Sequence, residues 1–300
     1  MSVILGVNHQ FLYPGAMTDA ETHTRTLQKA AELRDVAALD CWMWPEPRRA
    51  EEERRVLRDS GKKINYNIGD RTMDEPCFPA SPDASRRRRT LDIHLREIGY
   101  ALNVGAKKIV LGSGPDVPED RPEAKERFAE FLMRLGKELP EDVTLALEPT
   151  DRTIDKHFLF GPAAETAEFI REMRANGLPN LGMLLDMGHV PIMGETLSSA
   201  VQGAAETLVH VHLGNCVVKN PQSPFYGDKH VAWGAVDSEY GEKEAAEFLR
   251  LLNQAGYFQK EDCTVSFEMR PIEGLSPEES LRAFVGVWEK SMPGLPVSKE

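Results

Sequence analysis

The amino-acid sequence predicts a (β/α)8 barrel, formed as one domain over residues 1–300. Three observations carry that expectation. Short apolar runs alternate with amphipathic stretches eight times along the chain, the pattern of strand–helix units around a parallel sheet. A length of 300 residues suits a single barrel of this kind. Four successive apolar runs also end in a metal-ligand residue type, and a barrel collects all of its strand ends at one mouth.

Taken in order, Val3–Val7 reads as the first strand and Asp19–Arg34 as its helix. Ala38–Trp42 and Ile64–Ile68 are the next strands, with the charged helical stretch Arg48–Ser60 between them. A loop rich in turn residues follows (Asp70, Asp74, Pro76, Pro79, Pro82). It leads into a long helix whose Leu91, Leu95, Ile98 and Leu102 share one face and which Gly105 closes. Lys108–Leu111 is the fourth strand, and Glu123–Leu139 its helix, stopped by Pro140. Val143–Leu147 precedes a helix at Ala163–Ala175, and Leu181–Leu185 one at Leu197–Thr207. After the seventh strand, Val209–Leu213, comes a long loop, then a helix with Ala245, Phe248, Leu249 and Leu252 inward. Thr264–Phe267 is the eighth strand. Ser276-Pro277-Glu278-Glu279 opens the last helix with an N-cap, a first-turn proline and a capping-box glutamate. A doubly wound open sheet is the rival fold. No strand ends in a G-x-G-x-x-G turn, however, and an open sheet concentrates its site at one switch point rather than over four strand ends.

Composition narrows the partners. The net charge of −12 argues against a nucleic-acid backbone or an anionic membrane surface. The four cysteines, Cys41, Cys77, Cys216 and Cys263, form no C-x-x-C pair, so no structural zinc site or disulfide framework is expected. Cys41, Cys216 and Cys263 lie in or beside apolar runs and read as small core residues. Met1–His9 lacks a secretory n-region and h-region, and no run approaches transmembrane length. A cytoplasmic location fits.

The residues at the four strand ends are Glu148, Asp186, His212 and Glu268. Each has an ordinary structural reading by itself. Glu148 could pair with Arg152, Asp186 could cap its own turn, His212 could be a bonded core histidine, and Glu268 could pair with Arg270. Together they crowd three carboxylates at one mouth, which is costly unless they are protonated or bridged by a cation. Three carboxylates and one imidazole are a mostly hard donor set. They suit a six-coordinate Mn²⁺, Mg²⁺ or Co²⁺ better than a closed tetrahedral zinc site.

The pieces Leu147-Glu148-Pro149, Leu185-Asp186-Met187-Gly188-His189, His210-Val211-His212-Leu213-Gly214-Asn215 and Phe267-Glu268 resemble the xylose-isomerase-like barrels. This is the sugar isomerase/epimerase superfamily that also includes endonuclease IV. The resemblance covers the architecture of the whole chain, with specific motifs in its second half. For a ketose 3-epimerase of that superfamily it implies one divalent metal on Glu148, Asp186, His212 and Glu268. Mn²⁺ is expected first, with Mg²⁺, Co²⁺ and Zn²⁺ as alternatives. It also makes Glu148 and Glu268 the acid/base pair and brings His189 to a substrate hydroxyl. Those epimerases carry an arginine shortly after the strand-seven histidine, where this chain reads Cys216-Val217-Val218-Lys219. Asp228 and His230, in Tyr226-Gly227-Asp228-Lys229-His230, are similar to a metal pair of endonuclease IV. The two early histidines of its zinc cluster have no counterpart here, since strand three ends in Asn67 and strand four in Gly112-Ser113-Gly114.

Substrate contacts are expected from His189, Asp228, His230, Arg270 and Trp42. Trp44, Phe11 and Tyr13 lie at or past strand ends, and Asn8 and His9 end the first strand toward the same mouth. Arg86-Arg87-Arg88-Arg89 reads as a solvated face and Lys107-Lys108 as structural. No glycine loop suited to phosphate appears, so an unphosphorylated carbohydrate is expected. The expected activity is a metal-dependent keto-sugar isomerase or epimerase that removes a proton beside a polarised carbonyl, through an enediolate. The alternative is a lyase acting by elimination on a 3-oxo sugar, a 3-oxo C-glycoside or an inosose, with His230 or His189 as acid. A nuclease of the AP-endonuclease type ranks last. A homo-oligomer or a second subunit is open to such a barrel.

Overall fold

The computed structural model describes residues 2–71 and 77–298. Each expected apolar run forms a strand: β1 (Val3–Asn8), β2 (Ala38–Cys41), β3 (Lys63–Asn67), β4 (Lys108–Gly112), β5 (Thr144–Glu148), β6 (Leu181–Asp186), β7 (Leu208–Leu213) and β8 (Thr264–Phe267). Neighbours in sequence pair in parallel, and β1 pairs with both β8 and β2, which closes the barrel. The chain therefore forms a (β/α)8 barrel. A further two-residue strand, β9 (Val297–Ser298), pairs with Val3 and Ile4. The register of β2 against β1 begins only at Gly6, so β9 covers backbone of β1 that the stagger leaves unpaired. Two residues are too few to show a period in sequence.

Register places the strand ends side by side. Asp186 stands opposite His212, Gly112 opposite Glu148, and Leu213 opposite Phe267, which puts Glu268 at the same rim. The helices pack outside with their apolar stripes inward, and one continuous core joins them to the outer faces of the strands. Inside the barrel the packing is partly polar: Asp40, Asn65, His210, His212, Thr264 and Ser266 are all fully buried.

The helix at Ala84–Asn103 corrects one expectation. Its buried face is Thr90, Ile93, His94, Glu97, Ile98 and Ala101, while Leu91, Leu95 and Leu102 flank the core, only partly buried. Polar groups take the inner positions because partners wait there. Tyr66 donates to Glu97 at 2.8 Å, and Thr90 accepts from Phe78 N at 2.8 Å. Gly105, in the left-handed region at φ 76°, ends this helix as expected. The Arg121–Gly136 and Leu197–Ala204 helices stop about a turn earlier than their hydrophobic patterns. Ser276 caps the last helix, Pro277–Ser291, in a capping box with Glu279. Of the turn residues expected before Ala84, Asp74 and Pro76 lie outside the described residues. No helix among the described residues is long and apolar enough to cross a membrane.

Candidate metal centre

Two glycines allow the centre to form. β6 runs into Asp186-Met187-Gly188 and β7 into His212-Leu213-Gly214. A Cβ on Gly214 would lie 2.3 Å from Asp186 Oδ1, and one on Gly188 would lie 2.6 Å from Asn215 N. Only bare backbone lets the two strand ends approach this closely. Asp186 Oδ1 then accepts from Gly188 N at 2.7 Å, so the acid does cap its own turn, and with one oxygen only. Its Oδ2 is buried and has no hydrogen-bond partner among the described residues.

Ligand atoms of Glu148, Asp186, His212 and Glu268 lie within 4.8 Å of one another. Glu268 is oriented from both sides. Asn8 Nδ2 donates to its Oε1 at 2.7 Å, and His212 Nδ1 lies 2.7 Å from its Oε2. His212 Nδ1 is also 3.8 Å from Glu148 Oε1. The simpler partners are engaged elsewhere: Arg152 forms a bidentate pair with Glu165, and Arg270 Nε donates to the Lys229 carbonyl at 2.8 Å. Burial pushes the Glu268 carboxyl well above its usual range, and His212 and His230 pull back against it. Burial lowers the His212 imidazole, but Glu268 and Asp40 outweigh that and hold it well above its usual value. Such a cluster is held together by shared protons or by a cation. The bare Asp186 Oδ2 and the hard donor set fit a divalent cation bound by these four residues.

Beside this group lies a second one. His189 Nδ1 is 3.1 Å from the Pro149 carbonyl, and His230 Nδ1 is 3.1 Å from the Glu268 carbonyl. Both rings therefore turn Nε2 toward Asp228, at 3.2 Å and 3.0 Å. Lys156 Nζ is 3.3 Å from the same carboxylate. Burial disfavours charge throughout, but the ion pairs prevail. Asp228 is held well below the usual carboxylate range by His230, His189 and Lys156. His189 is held well above its usual value by Asp228, Asp186 and Glu148. His230 is raised to about 9 by Asp228 and Glu268. Asp186, His189 and His230 also present ligand atoms close enough together to hold a cation of their own.

The loop that supplies Asp228 and His230 is tightly tied. Asn215 accepts from Cys216 N and Tyr240 N and donates to the Ala232 and Tyr240 carbonyls. Asp155 accepts from Asp228 N and Lys229 Nζ, each at 2.8 Å, which joins this loop to the one after β5. His230 adopts a left-handed backbone, φ 49°, and its carbonyl accepts from Arg270 N at 2.7 Å.

A cavity of about 310 Å³ opens over both groups, a size suited to a small-molecule ligand. Glu148, Glu268, His189, Asp228 and His230 line it together with Phe11 and Lys156, and Pro79, His94 and Phe158 line its far side. Trp42 and Arg270 are not among its lining residues. Trp42 is buried behind it, 4.2 Å from the His23 ring and beneath the Arg71 guanidinium. Arg270 secures the loop from behind. His9 turns outward to Thr26, at 2.8 Å, whereas Asn8 faces the centre. Lys219, after β7, pairs with Glu239 away from the cavity. Lys156 and Asp40 are among the residues here that the sequence does not single out. Lys156 sits in a loop with no periodic signal. Asp40 is a buried acid on a strand, the same signal that marks Asp186.

A family model described as a xylose isomerase-like TIM barrel matches residues 20–286. No curated protein matches the chain. Among solved structures, a D-tagatose 3-epimerase-like protein aligns with a TM-score of 0.72 at 16% identity, covering 96% of this chain and 98% of its own. The 3-keto-D-glucoside 4-epimerase of E. coli aligns with a TM-score of 0.68 at 15% identity, covering 97% and 99%. Endonuclease IV from Thermus thermophilus aligns with a TM-score of 0.63 at 16% identity, covering 96% and 99%. At these identities the likeness is one of fold.

Proposed function

This chain belongs to the xylose isomerase-like TIM barrel family, and from that premise we propose that it is a divalent-metal-dependent isomerase or epimerase of a keto sugar. One observation carries the reading: Glu148 and Glu268 belong to a single four-residue ligand group and both line one cavity. A divalent cation held by Glu148, Asp186, His212 and Glu268 would polarise a carbonyl and its neighbouring hydroxyl, acidifying the C–H between them. On this reading Glu268 is the base. Asn8 fixes one of its oxygens, and burial favours its uptake of a proton. Glu148, on β5, is the second carboxylate; it enters the cycle protonated and gives its own proton to the enediolate, while Glu268 keeps the one it removed until both exchange with solvent. Delivery to the opposite face of the same carbon gives an epimer, and delivery to the former carbonyl carbon, with the hydroxyl proton passing to the former carbonyl oxygen, gives an isomer. His189 and Lys156 supply donors for substrate hydroxyls, and Phe11 offers an aromatic face against His230, at 3.9 Å between ring centroids. The substrate class on this reading is an unphosphorylated carbohydrate bearing a carbonyl.

A second reading is favoured by the Asp228 group. Two imidazoles and an ammonium converge on one carboxylate beside the proposed base, which is a ready proton source for a departing oxygen or carbon. With such a substrate the same enediolate would eliminate instead of being reprotonated, making the protein a lyase. The deciding experiment incubates the Mn²⁺-loaded protein with ketoses and with 3-oxo sugars in D₂O. Deuterium at the carbon beside the carbonyl, without loss of a group, supports the isomerase or epimerase. Exchange with expulsion supports the lyase. Absence of both exchange and tight metal binding refutes the mechanism.

A further inference from the structure

Beneath the four ligand residues lies a polar layer that the proposed chemistry does not use. Asp40, on β2, is fully buried in the barrel interior. Its Oδ1 is 3.0 Å from His212 Nε2 and 2.6 Å from His210 Nε2. Its Oδ2 accepts from Ser266 Oγ and from Asn65 Nδ2, the latter at 3.1 Å. Groups from β3, β7 and β8 thus all converge on one carboxylate. A buried charge this well satisfied has a fixed place.

We propose that Asp40 is a positioning residue for the metal centre: it holds His212 as the Nε2–H tautomer, with its Nδ1 lone pair turned toward Glu148, Asp186 and Glu268. This rests on the reading that those four residues bind a cation. The argument is one of donors and acceptors. An ionised carboxylate only accepts, so the His212 proton belongs on the nitrogen that faces Asp40. The opposite nitrogen is then the ligand atom, and it is the one directed at the mouth. The reverse tautomer would set a lone pair against Asp40 Oδ1 at 3.0 Å and cap the ligand atom with a proton; the 2.7 Å contact of Nδ1 with Glu268 Oε2 is the one a bound cation would replace. His210 braces the arrangement. Its ring stands edge-on to His212 at 4.8 Å, its Nδ1 lies 3.2 Å from the Thr264 carbonyl, and its Nε2 shares Asp40 Oδ1. Asp40, His210 and His212 are near enough to one another to suggest a cation site of their own. Here, however, both carboxylate oxygens are already occupied, Oδ1 by the two imidazoles and Oδ2 by Ser266 and Asn65, whereas the centre above keeps the bare Asp186 Oδ2. Carboxylates that orient ligand histidines in this way strengthen both the ligand's aim and its basicity.

The test is Mn²⁺ affinity, measured by chelator competition on the full chain. Asp40→Ala is expected to weaken binding about 10- to 100-fold, and Asp40→Asn, which retains an acceptor, by less. Ser266→Ala removes a donor to the other oxygen and leaves the imidazole contact in place, so its affinity should stay within about twofold of wild type. A second readout separates aim from stability. In Mg²⁺-loaded wild type, the His212 Nε2–H should appear as a slowly exchanging ring proton by NMR, and Asp40→Ala should lose it. Folded Asp40 variants that bind Mn²⁺ like wild type would overturn the inference alone. Should Asp40→Ala not fold, Asp40→Asn decides the matter by the same measurement. A wild-type protein that binds no Mn²⁺ overturns both the inference and the metal reading beneath it.

Discussion

Gly214→Ala should disable the proposed centre without altering any of its ligands. The added Cβ would stand 2.3 Å from Asp186 Oδ1 and 2.6 Å from Oδ2, against an ordinary contact of 3.4 Å or more. The carboxylate must therefore retreat by about 1 Å. Asp186 is fully buried, so retreat means straining neighbours and giving up the 2.7 Å bond from Gly188 N. Overpacking of this kind costs ~1–3 kcal/mol. At roughly 2–4 °C per kcal/mol for large domains, the melting temperature should fall by several degrees. A shift of about 1 Å also exceeds the ~0.2 Å tolerance of a metal–ligand distance, so Mn²⁺ affinity should fall at least about tenfold. Thermal unfolding with and without Mn²⁺, together with chelator competition, measures both effects. A variant matching wild type in both would refute the close approach of β6 and β7 on which the site depends.

Four further outcomes follow from the same geometry. Glu268→Gln keeps the shape between Asn8 and His212, so solvent deuterium exchange should be lost while the circular dichroism spectrum stays unchanged; surviving exchange would assign the base elsewhere. Mn²⁺ at about 100 times its dissociation constant should stabilise the protein by ~2.7 kcal/mol, and Asp186→Asn should remove most of that rise in melting temperature. His23 and His94, lowered to about 4 chiefly by burial, stay neutral in the folded chain while the unfolded chain takes up protons below pH ~6.5. The part of the stability that these two supply is therefore full above pH ~6.5 and is lost as pH falls toward about 4, and His94→Gln should flatten the slope in that window in urea titrations. Gly286, inside the last helix, leaves open space out to 4 Å around the position a Cβ would take, so Gly286→Ala should stabilise by up to ~1 kcal/mol; a lower urea midpoint would contradict the open space there.

Much of this protein is determined by sequence alone. Period and punctuation are local properties. Eight apolar runs bounded by turn signals suffice for eight strands, because a parallel strand buried on both faces needs only a short β-prone segment. An acid at the end of such a run is legible for the same reason, since Glu148, Asp186 and Glu268 each interrupt apolar sequence where the chain leaves the core. Asn8 and Phe11 follow from their positions at the end of β1 and just past it. Helix ends were less legible. The Arg121–Gly136 helix stops before its apolar pattern does, and the long helix turns polar Thr90, His94 and Glu97 inward because tertiary partners receive them.

What only the tertiary structure decided is which side of each strand end meets the others. Trp42 and Asn8 both leave the barrel at its mouth, yet one stacks behind His23 and the other reaches Glu268. Arg270 and His230 both lie beyond the strand ends in loop sequence, and side-chain bonds to backbone carbonyls put one behind the loop and the other over the cavity. Lys156 comes to Asp228 only because Asp155 ties two distant loops together. Asp40 meets His212 across the barrel, 172 positions away in sequence. Stagger and closure set that contact, and neither leaves a mark in local composition.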